Sequence, residues 1–108
     1  MLRDLAGKVA WITGAGTGIG EGAAMALSEA GMQVILSGRR LEKLESVAAS
    51  CAGKSRIEVL DVADKDAVVA VADRIVAEYG RIDVLVASAG INVKNRNWHN
   101  VTYEDWDR

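Results

Sequence analysis

The sequence predicts an α/β domain with a doubly wound parallel sheet, and three observations support that class. Short apolar runs alternate with segments of helical periodicity along the chain. These runs are largely apolar throughout, which is typical of strands covered by helices on both faces of a sheet. A glycine-rich loop, TGAGTGIG at residues 13–20, directly follows the first apolar run. Right-handed crossovers in a doubly wound arrangement predict the strand order 3-2-1-4.

The first strand is predicted at Val9–Ile12, where an apolar run ends at the glycine loop. A helix is predicted to begin at Gly18, and Gly31 marks its end. The small and apolar residues of this helix recur on one face: Ile19, Ala23, Leu27 and Ala30. A second strand is predicted at Gln33–Ser37.

The second predicted helix carries an apolar stripe and ends near Gly53. The residues of this stripe are Leu41, Leu44, Val47, Ala48 and Cys51. A third strand is predicted at Arg56–Leu60. Because Asp61 and Val62 directly follow this strand, we expect them at the carboxyl edge of the sheet.

The third predicted helix follows Asp64, whose carboxylate suits an N-cap because it can accept a hydrogen bond from the first turn. One face of this helix is apolar or aromatic: Val68, Val71, Ala72, Ile75 and Tyr79. Gly80 is expected to end the helix, and a fourth strand is predicted at Ile82–Ala87. Thr102 and Asp105 resemble a capping box, which predicts the start of a fourth helix.

The composition fits one globular domain and excludes several classes of protein. The chain has 108 residues, of which 50% are hydrophobic, and its formal net charge is −2. Its basic residues are not clustered, which argues against a nucleic-acid partner or a membrane surface. With one cysteine, Cys51, and one histidine, His99, the chain predicts no internal disulfide and no metal site. We find no signal peptide and no run long enough to span a bilayer, so we expect a cytoplasmic protein.

The glycine loop lies between a strand and a helix, a position where loops bind phosphate groups. Backbone N–H groups at a helix N-terminus point outward, and glycine lets them approach a phosphate without an intervening Cβ. A P-loop is excluded because no Gly-Lys-Ser/Thr follows, and the G-x-G-x-x-G pattern has Ile19 or Glu21 in its last position. The remaining pattern is TGxxxGIG. The alternative is a tight turn that binds nothing.

This pattern resembles that of the short-chain dehydrogenase/reductase family, in its compact single-domain branch, and the resemblance extends from Leu5 to Arg108. It implies a Rossmann-like fold of which this chain forms the N-terminal, cofactor-binding half, so the sheet is expected to be incomplete relative to the family. It also implies that the loop binds the pyrophosphate of a dinucleotide. The implied contacts are Thr13, Gly14, Gly16, Thr17, Gly18, Ile19 and Gly20.

Three further segments match the family at the expected places, and the last of them, TYEDWDR at residues 102–108, resembles the start of the family's next helix. The resemblance implies that the carboxylate of Asp61 accepts a hydrogen bond from the adenine amino group, with the backbone of Val62 beside it. A second segment stands where the family usually has Asn-Asn-Ala-Gly, and it implies backbone contact beside the adenosine ribose. Its residues are Ala87, Ser88, Ala89 and Gly90. Because both asparagines are replaced, their usual side-chain contacts are not implied.

The residues after the second predicted strand favour NADP over NAD as the cofactor. An NAD site of this design places a carboxylate there to bind the ribose 2′-hydroxyl, but the sequence reads Ser-Gly-Arg-Arg at residues 37–40. A guanidinium suits the 2′-phosphate of NADP, which carries close to two negative charges. We therefore expect Arg39 to be the main phosphate ligand, with Thr17 and Arg40 as helpers. NAD is the alternative cofactor.

The chain lacks the catalytic pair that the family carries, a tyrosine followed four residues later by a lysine. Tyr79 is followed at that distance by Asp83, and Tyr103 by Asp107. We therefore predict no catalytic residue within residues 1–108 and expect the catalytic half beyond Arg108. By itself the chain is expected not to catalyse hydride transfer.

The resemblance implies an oxidoreductase that interconverts a carbonyl and an alcohol on a small-molecule substrate by hydride transfer. For the full-length protein we expect a homo-oligomer. The alternative function is a dinucleotide-binding module or fragment without catalytic activity. Both functions require the glycine loop, so the loop does not distinguish between them.

Overall fold

The computed structural model describes residues 5–16 and 18–87, which form a four-stranded parallel sheet with helices. The strands are β1 (Val9–Thr13), β2 (Gln33–Gly38), β3 (Ser55–Val59) and β4 (Val84–Ala87). Their order in the sheet is β3-β2-β1-β4, and every neighbouring pair is parallel. The predicted fold class and strand order are confirmed.

Three helices connect the strands: α1 (Gly18–Glu29), α2 (Leu41–Ser50) and α3 (Lys65–Tyr79). The predicted caps of α3 are both confirmed. The carboxylate of Asp64 accepts a hydrogen bond of 3.1 Å from the N–H of Ala67. At the other end Gly80 adopts the left-handed conformation with φ 82°, and its N–H donates to the carbonyl of Val76. Among the described residues, no helix has the length and apolarity that a membrane span requires.

The hydrophobic core forms two layers, one on each face of the sheet. The layer beneath α1 and α2 comprises Ala10, Ile12, Ala15, Ala24, Met32, Val34, Leu36, Leu44 and Val47. The layer beneath α3 comprises Val9, Trp11, Ile35, Leu60, Val71 and Ile75. Successive residues of β1 thus contribute to opposite layers, because side chains alternate along a strand. Helices cover both faces, which is why the strands are apolar throughout.

Two residues predicted on buried helical faces are exposed instead. The side chain of Ile19 is 77% exposed, and that of Leu41 is 47% exposed. Both residues lie in the first turn of their helices, at the carboxyl edge of the sheet. In α2 and α3 the predicted stripes include the buried residues, but in α1 the buried residues are Gly20, Ala24 and Ser28, which are not on the predicted list. Periodicity describes one helix, and it does not report which part of the sheet lies beneath each turn.

All four strands differ from their predicted bounds, and β1 and β2 each extend one residue further, to Thr13 and Gly38. β3 ends one residue early, yet Leu60 remains buried and its N–H donates to the carbonyl of Gly38 at 2.8 Å. β4 begins at Val84 rather than at residue 82 because a side chain intervenes in the ladder. The carboxylate of Asp83 accepts the N–H of Val9 at 2.8 Å, while the N–H of Asp83 donates to the carbonyl of Val9. The side chain thereby replaces a backbone acceptor at the start of β4.

Replacing Asp83 with alanine is expected to destabilise the fold at neutral pH and to matter less in acid. Partial burial acts to raise the pKa of Asp83, but the hydrogen bond from Val9 and the guanidinium of Arg81 outweigh it, so the pKa is lower than usual. The carboxylate therefore contributes its full stabilisation above the unfolded-state pKa of about 4, and this is lost as pH falls through the lower folded-state pKa. Losing the acceptor of a backbone N–H costs about 1–3 kcal/mol at pH 7.

Urea unfolding of the wild type and the Asp83→Ala variant at pH 7 and pH 2 measures this difference. We expect the two stabilities to converge at the lower pH. Asp73→Ala, a change of the same type at an exposed site on α3, is the control. A stability gap between wild type and Asp83→Ala that is equal at both pH values would contradict the role of the carboxylate.

Candidate functional site

The candidate site lies at the carboxyl edge of the sheet, where the ends of three strands meet. Thr13 at the end of β1 lies opposite Ser37 on one side and Ala87 on the other. The hydroxyl of Thr13 donates to the carbonyl of Val86 at 3.4 Å, which ties β1 to β4. In open α/β sheets, ligands bind at this edge, outside the carboxyl ends of the strands.

Ser37 fastens the glycine loop to β2. Its backbone carbonyl accepts the N–H of Ala15 at 3.0 Å, and its buried hydroxyl accepts the indole N–H of Trp11 at 2.9 Å. Ser37 was not among the residues predicted to form the site. A polar residue at the end of an otherwise apolar strand, directly before a glycine, was the available signal.

The glycines of the loop lack a side chain for different reasons. Gly14 has φ +73°, a left-handed conformation in which a side chain is strained. Gly20 has no room for a side chain, because a Cβ there would lie 2.2 Å from the carbonyl oxygen of Gly14. The third residue of α1 therefore packs directly against the loop backbone.

Gly18 differs from both of these glycines, because a Cβ there would meet no atom of the described residues within 4 Å. Packing against the described residues therefore does not explain the missing side chain. Gly18 begins α1, where backbone N–H groups and the positive end of the helix dipole are available to an anion. An unsubstituted backbone beside open space, next to such donors, fits the pyrophosphate of a dinucleotide.

The basic residues after β2 lie beside this loop. Arg40 is the N-cap residue of α2, without a side-chain cap, and its guanidinium lies 3.8 Å from the carboxylate of Glu42. Arg39 is exposed and forms no ion pair within residues 5–16 and 18–87. Arg39 is thus the guanidinium here without a carboxylate partner in the described part of the chain.

Lys43 is a further cation that the sequence analysis missed. A Cβ placed on Gly16 would lie 3.1 Å from the Cβ of Lys43, so α2 and the loop are in contact at this point. No sequence pattern joins residues 27 positions apart, and only the packing of α2 beside the loop brings them together.

Asp61 and Val62 follow β3 at the same edge. The Oδ1 atom of Asp61 accepts the N–H of Ala63 at 2.9 Å, and its backbone carbonyl accepts the N–H of Asp64 at 2.9 Å. The carboxylate thus stabilises the turn into α3 with one oxygen, and Asp61 is exposed. Val62 is 39% exposed.

The structure brings most of the predicted site residues to one edge of the sheet. Ile19 also lies there, with its side chain directed to solvent. Four predicted residues lie outside the described part of the chain: Thr17, Ser88, Ala89 and Gly90.

Tyr79 is far from this edge. It ends α3 and lines a cavity of 420 Å³ together with Gly31 and Gln33, at the amino edge of the sheet. The guanidinium of Arg56 lies 5.9 Å from the centre of its ring. Tyr79 therefore lies at the opposite end of the domain from the glycine loop.

The chain is similar in sequence to one family of proteins and to curated relatives within it. The family described as short chain dehydrogenase matches residues 8–108. The 3-oxoacyl-(acyl-carrier-protein) reductase FabG of Thermotoga maritima is 40% identical over 106 residues, which cover 95% of this chain and 43% of that protein. The chain spans less than half the length of the curated relatives it matches.

Solved structures with similar folds hold either cofactor. A metagenomic short-chain oxidoreductase in complex with NADP has a TM-score of 0.76 and 36% identity, covering 95% of this chain and 48% of that one. An NAD⁺-bound xylitol dehydrogenase has a TM-score of 0.71 and 37% identity, covering 75% of this chain and 32% of that one. The similar structures thus include one bound to NADP and one bound to NAD⁺.

Proposed function

The chain belongs to the short-chain dehydrogenase family, and on that premise we propose that it supplies the dinucleotide-binding part of an NADP-dependent oxidoreductase. The proposed reaction interconverts a carbonyl and an alcohol on a small molecule. One observation carries the proposal: Gly18 opens α1, and packing against residues 5–16 and 18–87 does not require a glycine there, because a Cβ would meet none of their atoms within 4 Å.

The loop residues would bind the pyrophosphate through backbone N–H groups at the start of α1. Gly14 and Gly20 shape the loop. Gly14 adopts a left-handed backbone conformation, and Gly20 lets helix α1 pack against the backbone of Gly14. Gly16, Gly18 and their neighbours would then lie against the phosphates. The hydrogen bond from Ala15 to the carbonyl of Ser37 holds this backbone in place before the nucleotide arrives, which lowers the cost of ordering it.

The adenosine would lie over the ends of β2, β3 and β4. Asp61 has one carboxylate oxygen bonded to Ala63, and the other would accept a hydrogen bond from the adenine amino group. Val62 would pack beside the ring, because its side chain is partly exposed at that edge. The backbone from Ala87 to Gly90 would follow the adenosine ribose.

Arg39 would bind the 2′-phosphate that distinguishes NADP from NAD. It directly follows β2, is exposed, and forms no ion pair within residues 5–16 and 18–87, so no carboxylate of these residues competes with the phosphate. Arg40 is the weaker candidate because Glu42 lies 3.8 Å from it. The residues at the end of β2 include no carboxylate for a ribose 2′-hydroxyl, which supports NADP over NAD.

When bound, NADPH supplies the hydride, and the residues of this chain hold and orient the nucleotide. The chain contains no tyrosine followed four residues later by a lysine, so we propose that it binds the cofactor without turnover. The same observation supports a second function, a dinucleotide-binding module without catalysis. Oxidation of NADPH by this chain in the presence of small ketones would contradict that second function.

Calorimetric titration of the folded chain with NADPH and NADH tests the cofactor assignment. Replacing Arg39 with alanine is expected to weaken the binding of NADPH about 10- to 100-fold, because a charge-assisted hydrogen bond contributes about 1.5–3 kcal/mol. NADH should be affected less than about twofold, since it has no 2′-phosphate.

The control is Lys54→Ala, which removes a cation at the opposite edge of the sheet and should change neither affinity. Equal losses for NADPH and NADH in the Arg39→Ala variant would refute the role of Arg39. Absence of binding by a wild-type sample with intact circular dichroism would refute the proposed function itself.

A further inference from the structure

We propose that Lys43 is a second cation for the 2′-phosphate and therefore a residue that determines selectivity for NADP. This inference rests on the proposed function, because it concerns the same nucleotide site. It assigns a role to a residue on α2, outside the glycine loop and outside the Ser-Gly-Arg-Arg segment that ends β2.

The first turn of α2 is held in a defined position. The carbonyl of Arg40 accepts the N–H groups of Lys43 and Leu44 at 3.1 and 3.2 Å, so the helix begins directly after Arg40. The side chain of Leu44 is buried, and a Cβ placed on Gly38 would lie 3.3 Å from its Cδ2 atom. Leu44 thus anchors the turn beneath the end of β2, and Lys43 beside it is placed by the same anchor.

The side chain of Lys43 runs along the glycine loop. From a Cβ placed on Gly16, the Cβ of Lys43 would be 3.1 Å away, its Cδ 3.7 Å and its Cγ 4.0 Å. Because the Cδ is nearer than the Cγ, the aliphatic stem folds over Gly16 instead of extending away from it. The stem of Lys43 thus lies beside the glycine loop, in the first turn of the helix that directly follows Arg39 and Arg40.

The missing side chain at Gly16 is explained by this contact. Any side chain there would meet the stem of Lys43 at a distance tighter than ordinary van der Waals contact, so the stem would have to shift. Gly16 differs in this from Gly18, where no described atom is near. Gly18 thus leaves room for the ligand alone, whereas the missing side chain of Gly16 also leaves room for the stem of Lys43.

The local charges also favour an anion between these residues. Arg39 and Lys43 both lie at the N-terminal end of α2, where the helix dipole disfavours positive charge. Glu42 lies beside Arg40, and Lys43 forms no ion pair in the part of the chain that the structure describes. A phosphate with nearly two negative charges would offset the repulsion between the two cations.

The test measures dissociation constants calorimetrically for two pairs of ligands, NADPH with NADH and 2′,5′-ADP with 5′-AMP. Lys43→Met keeps the stem and removes the charge. It should raise the dissociation constants of NADPH and 2′,5′-ADP about fivefold, as expected for the loss of one exposed ion pair. The dissociation constants of NADH and 5′-AMP should stay within about twofold of the wild-type values. Lys43→Arg should restore most of the loss. Lys54→Met, the same substitution at the opposite edge of the sheet, is the control.

The possible outcomes separate this inference from the proposed function. If Arg39→Ala weakens NADPH selectively and Lys43→Met does not, the inference is wrong and the proposed function stands. If Lys43→Met weakens the binding of all four ligands equally, Lys43 interacts with the adenosine 5′-phosphate that they share, and the inference is again wrong. If the folded wild-type chain binds none of them, both the inference and the proposed function fail.

Discussion

Replacing Gly20 with alanine is expected to lower the free energy of unfolding by about 3 kcal/mol, the upper end of the usual cost of overpacking. The added Cβ would lie 2.2 Å from the carbonyl oxygen of Gly14, 2.8 Å from its carbonyl carbon and 2.9 Å from the Cα of Ala15. All three atoms belong to the backbone, so no side-chain rotation relieves the clash. Helix α1 would have to move away from the loop, which would strain the hydrogen bond between Ala15 and Ser37.

A matched control is available two residues further along the same helix. A Cβ on Gly22 would meet no described atom within 4 Å, and Gly22 is exposed. Gly22→Ala should therefore raise the free energy of unfolding by up to about 1 kcal/mol, because alanine favours a helix over glycine. Urea unfolding followed by circular dichroism measures both variants. If the Gly20→Ala and Gly22→Ala variants unfold at the same urea concentration, helix α1 does not pack closely against the loop.

Replacing Gly18 with valine is expected to weaken NADPH binding more than about 100-fold while leaving the fold intact. The protein has room for the side chain, since no described atom lies near the position and its φ is not in the left-handed region. A phosphate bound there would not have that room. Losing two charge-assisted hydrogen bonds from the backbone costs at least about 3 kcal/mol, which corresponds to the expected loss of affinity.

Calorimetry with NADPH and urea unfolding together separate binding from stability in this variant. Stability is expected to change by less than about 1 kcal/mol, as for other exposed helix positions. Gly22→Val, on the same helix but one turn away from its start, should bind NADPH like the wild type. Unchanged affinity in Gly18→Val would show that the phosphates do not lie at the start of α1.

These two glycines differ in a way that the sequence does not reveal. In the sequence, Gly18 and Gly20 belong to one motif, and both are predicted to bind the cofactor. In the structure, Gly20 is required by the backbone of Gly14, whereas Gly18 is not required by any described neighbour. The substitutions therefore have different expected effects, one on folding and the other on binding.

The sequence by itself determined the fold class, the strand order and both ends of α3. The strands are apolar on both faces, and only a parallel sheet between two helical layers buries such strands. Asp64 and Gly80 act through neighbours within a few residues, so their cap roles are local and visible in the sequence. The exposure of Ile19 and Leu41 was not predicted, because periodicity describes one helix and not the surface beneath it.

Only the tertiary structure decided the contacts that shape the site: Gly16 against Lys43, Gly20 against Gly14, and the loop against Ser37. The contacts of Lys43 and Ser37 join segments from different βα units, and the contact of Gly20 depends on how closely α1 approaches the end of β1. The distance of such an approach follows from the packing of whole helices against the sheet, and no pattern of neighbouring residues encodes it.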